Sequence, residues 1–188
     1  MSLVPAFEIG VWNAWLFMSI FILQMIAVML MGKRMLERTG HPSMTRQSKP
    51  ERYSGILGNT VWISATIYSI FLPFQLDTFW FYLGLVIFLA GFMILVLSTV
   101  SFASSPEDKP VTNGVYRISR HPVYLSLILV YIAVSTAAAS WIFLLLAIAI
   151  IYWVRVEALV EERYCLQRYG VEYRDYTDRT PRWIGIPK

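Results

Sequence analysis

The composition of this chain is that of a membrane protein. Its 188 residues suffice for one domain, but 57% of them are hydrophobic and only 15% are charged, which excludes an ordinary soluble globular protein. The net charge of +4 is spread over segments that we place on one membrane face, so we expect contact with membrane lipids and no nucleic-acid partner. The single cysteine, Cys165, implies no disulfide.

Long apolar segments predict the helices, because a spanning helix of about 20 residues pairs its own backbone polar groups. Three segments of this kind come first, and a stretch of 32 residues without formal charge, 123–154, follows them. That stretch is too long for one crossing, so we expect two short helices of roughly 24 Å each, joined by a tight turn. A single bent helix is the alternative. The predicted helices cover about 12–31, 56–74, 79–103, 123–138 and 141–155.

The positions of the basic residues predict the orientation. All sixteen Lys and Arg follow the first or third of these helices or lie at or beyond the end of the last. Basic loops stay in the cytoplasm, and two crossings between 123 and 154 keep every positive charge there. We therefore predict an all-α polytopic membrane protein, a single domain over 1–188, with five transmembrane helices, its N-terminus outside and a cytoplasmic C-terminal helical tail.

Two cytoplasmic segments flank the last hairpin, 104–122 and 156–188. The second is predicted to begin as a helix that runs to about Tyr169 and stops at Gly170. Near the C-terminus, Trp183 and its flanking Arg182 are typical of an ending at headgroup level. The loop 32–55 lacks a clear period and is predicted to be an irregular connector.

Three glutamates of the tail helix lack a local basic partner. Glu157 and Glu161 are four residues apart and share a helix face, with Glu162 beside it. No Lys or Arg lies three or four residues from any of them. A fully solvated triplet is one interpretation, but a hairpin would return these acids to the level of the segment before the fourth helix. The candidates for compensating charge are then Arg120, His121, Arg155 and a cationic ligand.

The order of several motifs resembles one family. Gly114-Val115-Tyr116 and Arg120-His121-Pro122-Val123-Tyr124 precede the apolar hairpin, and Glu161-Glu162 and Tyr169-Gly170-x-x-Tyr173-x-x-Tyr176 follow it. This series, over about 114–182, resembles the isoprenylcysteine carboxyl methyltransferases. Their superfamily of integral-membrane methyltransferases also includes the phospholipid N-methyltransferases. Tyr169 in place of Phe, and Trp183-Ile184-Gly185 in place of a Leu-Pro-like ending, depart from the family pattern outside the polar motifs.

The resemblance implies S-adenosylmethionine as the cofactor, bound on the cytoplasmic side. The implied cofactor-binding residues are Val115, Tyr116, His121, Pro122, Tyr124, Glu161 and Glu162. The implied catalytic residues are Arg120 and Glu161, and Tyr152 and Arg155 are expected to contact a lipophilic or prenylated acceptor. No metal is expected, because the two histidines are isolated in the sequence and there is no cysteine pair.

Methyl transfer from a sulfonium needs alignment and desolvation more than a strong acid or base. A carboxylate acceptor needs no general base, whereas an amine or a thiol must first lose a proton. The sequence shows no obvious base, which favours methylation of a lipophilic carboxylate that enters from the bilayer, most like isoprenylcysteine carboxyl O-methylation. The alternatives are a phospholipid amine N-methyltransferase, a small-thiol S-methyltransferase, an NADPH-dependent enzyme like the sterol reductases, and a non-catalytic membrane protein.

Overall fold

The computed structural model describes residues 7–32, 48–106 and 108–185, and within these ranges it is helical, without a β-strand. A short 3₁₀ helix, Gly114–Arg117, precedes the fourth of the six α-helices found there. The α-helices are α1 (Trp15–Leu30), α2 (Lys49–Ile70), α3 (Phe79–Ala103), α4 (Pro122–Ala137), α5 (Trp141–Tyr169) and α6 (Val171–Arg179). The all-α prediction is confirmed for the described residues.

Two of the helices are long and apolar enough to cross a membrane, α3 and α5. The helices α1 and α4 are apolar but have 16 residues each, or roughly 24 Å against a hydrocarbon core of about 30 Å. The structure therefore supports a membrane protein. Five crossings and the orientation of the termini stay predictions.

The helix α2 begins seven residues before its predicted start and ends four residues before its predicted end. It begins at Lys49 because Ser48 and Glu51 form a capping box, in which each side chain accepts the other residue's backbone N–H. The prediction of an irregular connector over 32–55 was therefore wrong from Ser48 onward. Its residues 33–47 lie outside the described part of the chain.

The hairpin predicted between α4 and α5 is confirmed, so the single bent helix was wrong. The chain reverses over three buried residues, 138–140, with Ala139 in the left-handed region at φ 46°. Ser140 then caps α5, its hydroxyl accepting the Phe143 N–H at 3.3 Å. The two helices pack against each other along their length, so the start of α4 lies beside the later part of α5.

The turn of this hairpin lies at the same end of the molecule as the N-terminal segment and the loop between α2 and α3. The Asn13 amide donates to the carbonyls of Glu8 and Ile70 at 2.6 and 2.7 Å, and the Gln75 N–H donates to the Ala137 carbonyl at 2.9 Å. Backbone groups are thus paired at this end. The start of α4 and the polar half of α5 share the opposite end.

The helix α5 continues without a break from the apolar hairpin into the acidic tail. It runs to Tyr169 and ends at Gly170, as predicted. Its 29 residues span roughly 43 Å, more than a hydrocarbon core of about 30 Å. The glutamates in its last turns therefore lie beyond the apolar part of the helix, where they can meet the residues before α4.

Candidate functional site

The 3₁₀ helix is held against the end of α3 by a close approach at Gly114. This residue has φ +55°, and a Cβ added there would overlap the Ser101 hydroxyl, so both the backbone conformation and the packing require glycine. The contact leaves Tyr116 buried, with its carbonyl accepting the Tyr176 hydroxyl of α6 at 2.6 Å. The Gly-x-Tyr motif thus joins α3 to α6. Val115 is half-buried within it.

His121 occupies the last position before α4, and Pro122 forms the first helical residue. The backbone N–H of His121 donates to the Ser119 hydroxyl at 3.1 Å, and the residue is only 4% exposed. Its imidazole stacks on the Tyr124 ring, with the centroids 5.5 Å apart and the planes 17° from parallel. The ring is therefore held in one orientation on the side that faces α5.

The hairpin places Glu161 and Glu162 at the two nitrogens of this imidazole. His121 Nδ1 lies 3.4 Å from Glu161 Oε2, and Nε2 lies 3.1 Å from Glu162 Oε1. Both nitrogens face carboxylate oxygens, an arrangement that favours the doubly protonated imidazolium. Burial lowers the pKa of His121, but the hydrogen bonds and charges of the two carboxylates raise it by more, and the net pKa is above its ordinary value.

Glu162 is bound by three cationic side chains. Arg182 donates two hydrogen bonds, Nε to Oε1 at 2.9 Å and Nη2 to Oε2 at 2.8 Å, and Arg120 Nη1 lies 3.4 Å from Oε1. Burial raises the pKa of Glu162, but His121, Arg182 and Arg120 lower it by more, and the net pKa falls from the ordinary 4.5 to about 2. Arg120 and His121 thus supply the positive charge that the sequence required. Arg182 is a third donor that sequence reasoning missed.

Arg182 reaches Glu162 because residues 180–184, which we call the strap, cross over the start of α4. The Arg120 N–H donates to the Pro181 carbonyl at 3.0 Å, and the Ser119 hydroxyl donates to the Arg182 carbonyl at 3.2 Å. The Trp183 ring centroid lies 6.1 Å from that of His121. We call Arg120, His121, Glu161, Glu162 and Arg182 the polar cluster. The departure from the family pattern at Trp183 therefore lies beside this cluster, contrary to the expectation from sequence. The unpaired acids of the tail helix were the only sequence signal of a missing cation.

A cavity lies beside this cluster, lined mainly by polar and aromatic residues. Its volume is about 70 Å³, well below the roughly 300 Å³ at which small-molecule sites begin. Of the residues that the resemblance implies as cofactor-binding or catalytic, four line it: Tyr116, Arg120, His121 and Glu161. Tyr169, Tyr173 and Tyr176 of the tail motif line it too. Cys165 also lines it, but burial raises the pKa of its thiol to about 12. The thiol therefore stays protonated at neutral pH and is a poor nucleophile.

The two residues expected to contact the acceptor lie elsewhere on α5. Tyr152 and Arg155 are both exposed and neither lines the cavity. Tyr152 precedes Glu161 by nine positions, which places the two on opposite faces of a helix with 3.6 residues per turn. A contact between Tyr152 or Arg155 and an acceptor stays a prediction.

The third glutamate, Glu157, belongs to the interface between α5 and α2. It is buried, and the Trp153 indole N–H donates to its Oε1 at 2.9 Å. The Trp153 ring lies directly on Gly58 of α2, where a Cβ would overlap it. One and a half turns further along α5, Arg163 pairs with Glu51 of α2 at 2.8 Å. The helix α2 thus packs against α5 alongside the turns that carry the site.

The lining has the chemistry that a zwitterionic, partly aromatic cofactor requires. Arg120 Nε is buried and has no hydrogen-bond partner, so it is available to an anionic group. The Glu161 carboxylate is one-third exposed and available to a cationic group. Tyrosine faces in the lining suit a sulfonium by cation–π attraction. Among the residues that the structure describes, no group of three or more His, Cys, Asp or Glu could hold a metal ion.

The fold is that of a helical membrane protein, and its charged cluster and cavity lie where the apolar helices end. A family model described as phospholipid methyltransferase matches residues 79–172, half of the chain. The matched range includes α3 to α5 and the cluster residues Arg120, His121, Glu161 and Glu162, but not Arg182. The chain belongs to the phospholipid methyltransferase family. A comparison with curated proteins finds no match. The predicted superfamily is thereby confirmed, and its isoprenylcysteine member stays a prediction.

Proposed function

We propose that this protein transfers a methyl group from S-adenosylmethionine to a lipophilic acceptor that enters from the bilayer. The observation that carries the proposal is the His121 imidazolium held between Glu161 and Glu162 at the edge of a cavity, in a chain of a methyltransferase family. When bound, the cofactor supplies an activated methyl group on a sulfonium. The site would face the cytoplasm if the charge-based orientation holds.

The residues of the cluster have separable roles in this proposal. Arg120 binds the cofactor's carboxylate through its unpaired Nε, and Glu161 binds its ammonium or a ribose hydroxyl. His121 keeps the two glutamates apart and in place, because each ring nitrogen donates to one of them. Tyr116 forms part of the cavity wall and Tyr124 stacks on the His121 ring, and Val115 and Pro122 are expected to contact the cofactor. Proton transfer is not required of any of them.

The charge of the cluster supports a carboxylate as the acceptor. Arg120, His121 and Arg182 carry three positive charges against the two negative charges of Glu161 and Glu162. The surplus attracts an anion, and an imidazolium that donates from both nitrogens cannot take a proton from an amine. A carboxylate is already ionised and needs no base. We therefore place carboxyl O-methylation, of the isoprenylcysteine kind, first.

Methylation of a phospholipid amine is the second candidate, because the matching family is one of phospholipid methyltransferases. An amine would have to lose its proton to a carboxylate, and Glu161, which is one-third exposed, is the available one. The two candidates therefore differ in the bond that they form, an ester or an alkylamine.

The stability of that bond gives the test. Membranes that contain the protein are incubated with S-adenosylmethionine labelled in its methyl group, and the labelled lipid or peptide is treated with mild base. We expect base-labile label, as from an ester; base-stable label on a lipid amine would support the second candidate. Glu161→Gln should reduce labelling by about a hundredfold or more, whereas Glu172→Gln, the same change at an exposed site, should not. NADPH binding without S-adenosylmethionine binding would contradict both candidates.

A further inference from the structure

We propose that the mouth of the cavity is an adenine subsite, where the base of S-adenosylmethionine stacks against the Tyr169 ring and the Arg168 guanidinium. This inference deepens the proposed function and rests on it for the identity of the cofactor. It assigns a role to the end of α5, which lies beyond the polar cluster.

One face of α5 forms a continuous wall of the cavity. Glu161, Tyr164 and Arg168 line it at helical positions i, i+3 and i+7, and Tyr169 lines it at the last residue of the helix. The seven residues from Glu161 to Arg168 span roughly 10 Å along the helix axis. Among the described lining residues Arg168 is the exposed one, whereas His121 at the other end is buried. The cavity therefore runs from the polar cluster to a mouth at Arg168.

The enclosed part of the cavity is too small for a whole cofactor. Its volume is about 70 Å³, whereas a complete small-molecule site measures about 300 to 1,000 Å³. The amino-acid part of S-adenosylmethionine carries the charges that Arg120 and Glu161 can pair with, so this part belongs at the inner end. The adenosine must then lie towards the side on which the cavity is open.

The direction of methyl transfer gives the same order. A lipophilic acceptor enters from the bilayer, so the sulfonium has to lie at the end of the cavity nearer to the apolar helices. That end holds His121 and Glu161, next to the start of α4. Arg168 belongs to the last turn of α5 and lies farther from the apolar part of that helix. The adenosine is therefore the part of the cofactor that reaches Arg168.

The mouth presents planar groups of the kind on which a base stacks. The Arg168 Cζ lies 5.3 Å from the centroid of the Tyr169 ring and 6.0 Å from that of Tyr164. Its Nη1 also donates to the Tyr164 hydroxyl at 2.8 Å, which restrains the guanidinium at the mouth. Aromatic rings and guanidinium planes are the surfaces on which proteins stack unpaired bases. A flat adenine ring fits this chemistry better than either charged group of the cofactor does.

Binding of two ligands to the detergent-purified full chain, measured by calorimetry, tests the subsite. S-adenosylmethionine has the base and the amino-acid part, whereas methylthioadenosine has the base and lacks the amino-acid part. Arg168→Met and Tyr169→Leu should each weaken both ligands by the same factor, about tenfold, because a stacking partner of the base is lost. Gln167→Met, at an exposed neighbour that does not line the cavity, is the matched control and should bind both ligands like the wild type.

Two conservative variants separate stacking from charge and from a general loss of structure. Tyr169→Phe keeps the ring, so it should restore the binding that Tyr169→Leu loses. Arg168→Lys keeps the charge but not the planar guanidinium, so it should bind both ligands as weakly as Arg168→Met. If Arg168→Lys instead binds both ligands like the wild type, Arg168 acts as a point charge and the stacking assignment is wrong.

Failure of this inference can be told apart from failure of the proposed function. If the Arg168 and Tyr169 variants weaken S-adenosylmethionine but not methylthioadenosine, or weaken neither, the base lies elsewhere and the inference fails while the proposed function stands. The same conclusion follows if the wild type binds S-adenosylmethionine but no methylthioadenosine. If the wild type binds no S-adenosylmethionine, both fail.

Discussion

His121 and Glu162 each remain charged in a buried place because the other is there. Burial alone would favour a neutral imidazole and a neutral carboxyl group. The contact between them at 3.1 Å, together with the contacts of Glu161 with His121 and of Arg120 and Arg182 with Glu162, reverses both preferences. Removing Glu162 would leave the imidazolium with Glu161 alone and Arg120 without this carboxylate, and losing one partner of a buried ion pair typically costs about 3 to 5 kcal/mol.

Because the pKa of His121 differs between the folded and the unfolded protein, the free energy of unfolding depends on pH. Its pKa in the folded protein is raised above the ordinary 6.5, so the stabilisation is fully present below about pH 6.5 and is lost as the pH rises through the raised value. The pKa of Glu162 is lowered to about 2, so its stabilisation is lost only as the pH falls from 4.5 towards 2. Between about pH 6 and pH 9 the change therefore comes from the imidazole.

We expect the wild type to melt higher than His121→Asn by several degrees at about pH 6, and by clearly less at about pH 9. Thermal unfolding in detergent at both pH values measures the difference. Glu162→Gln keeps the histidine but removes its closer carboxylate, so this variant should lose most of the pH dependence. A difference between wild type and His121→Asn that stays constant with pH would show that the imidazole is neutral in the folded protein.

At the scale of helices, α5 carries the site while α4 and α2 hold it from two sides. The hairpin with α4 brings His121 to the glutamates, and the contact with α2 depends on the absence of a side chain at Gly58. Trp153 packs on Gly58 and donates a hydrogen bond to Glu157. A shift of its ring would therefore disturb the helical turn that precedes Glu161. A helix outside residues 79–172 thus contacts the helix that carries the site.

Substitution of Gly58 by Leu tests this support. The added side chain would overlap Trp153, and overpacking of this kind costs about 1 to 3 kcal/mol. That cost should lower the melting temperature by about 2 to 4 °C per kcal/mol in a chain of this size. It should also weaken cofactor binding. Asn59→Leu, one position along and exposed, is the matched control and should change neither property. Equal behaviour of the two variants would mean that α2 does not support the site.

At the scale of the whole molecule, the two ends differ in character. One end joins the N-terminal segment, the loop between α2 and α3, and the turn after α4 through backbone hydrogen bonds. The other end holds the charged cluster, the 3₁₀ helix, α6 and the strap. The positive-inside rule assigns the second end to the cytoplasm, where a soluble cofactor would reach it.

Labelling of single cysteines tests that assignment. In a Cys165→Ser background, we expect Gln75→Cys, in the exposed loop between α2 and α3, to react with a membrane-impermeant maleimide in intact cells. Glu172→Cys, exposed on α6, should react only after the membrane is permeabilised. Labelling of Glu172→Cys in intact cells would place the charged cluster outside and contradict the predicted orientation.

Much of the architecture followed from local signals. Apolar length located the five predicted spans, four of them within three residues of observed helix starts, because burial in hydrocarbon demands a continuous apolar run. The exception is α2, whose start depends on the polar capping box of Ser48 and not on hydropathy. Gly170 ended α5 as expected, since glycine accommodates the positive φ found there.

The helical class, the hairpin and the meeting of Arg120-His121 with Glu161-Glu162 could be predicted from the amino-acid sequence, because two antiparallel helices joined by a short turn return to the same level. Long-range contacts were needed to show that Arg182 and Trp183 complete the cluster and that Tyr152 and Arg155 lie apart from the cavity. Residues 180–184 show no pattern of apolar residues from which the path of the strap after α6 could be predicted. That path follows from long-range contacts with residues 119–121 and Glu162, which a pattern of neighbouring residues does not contain.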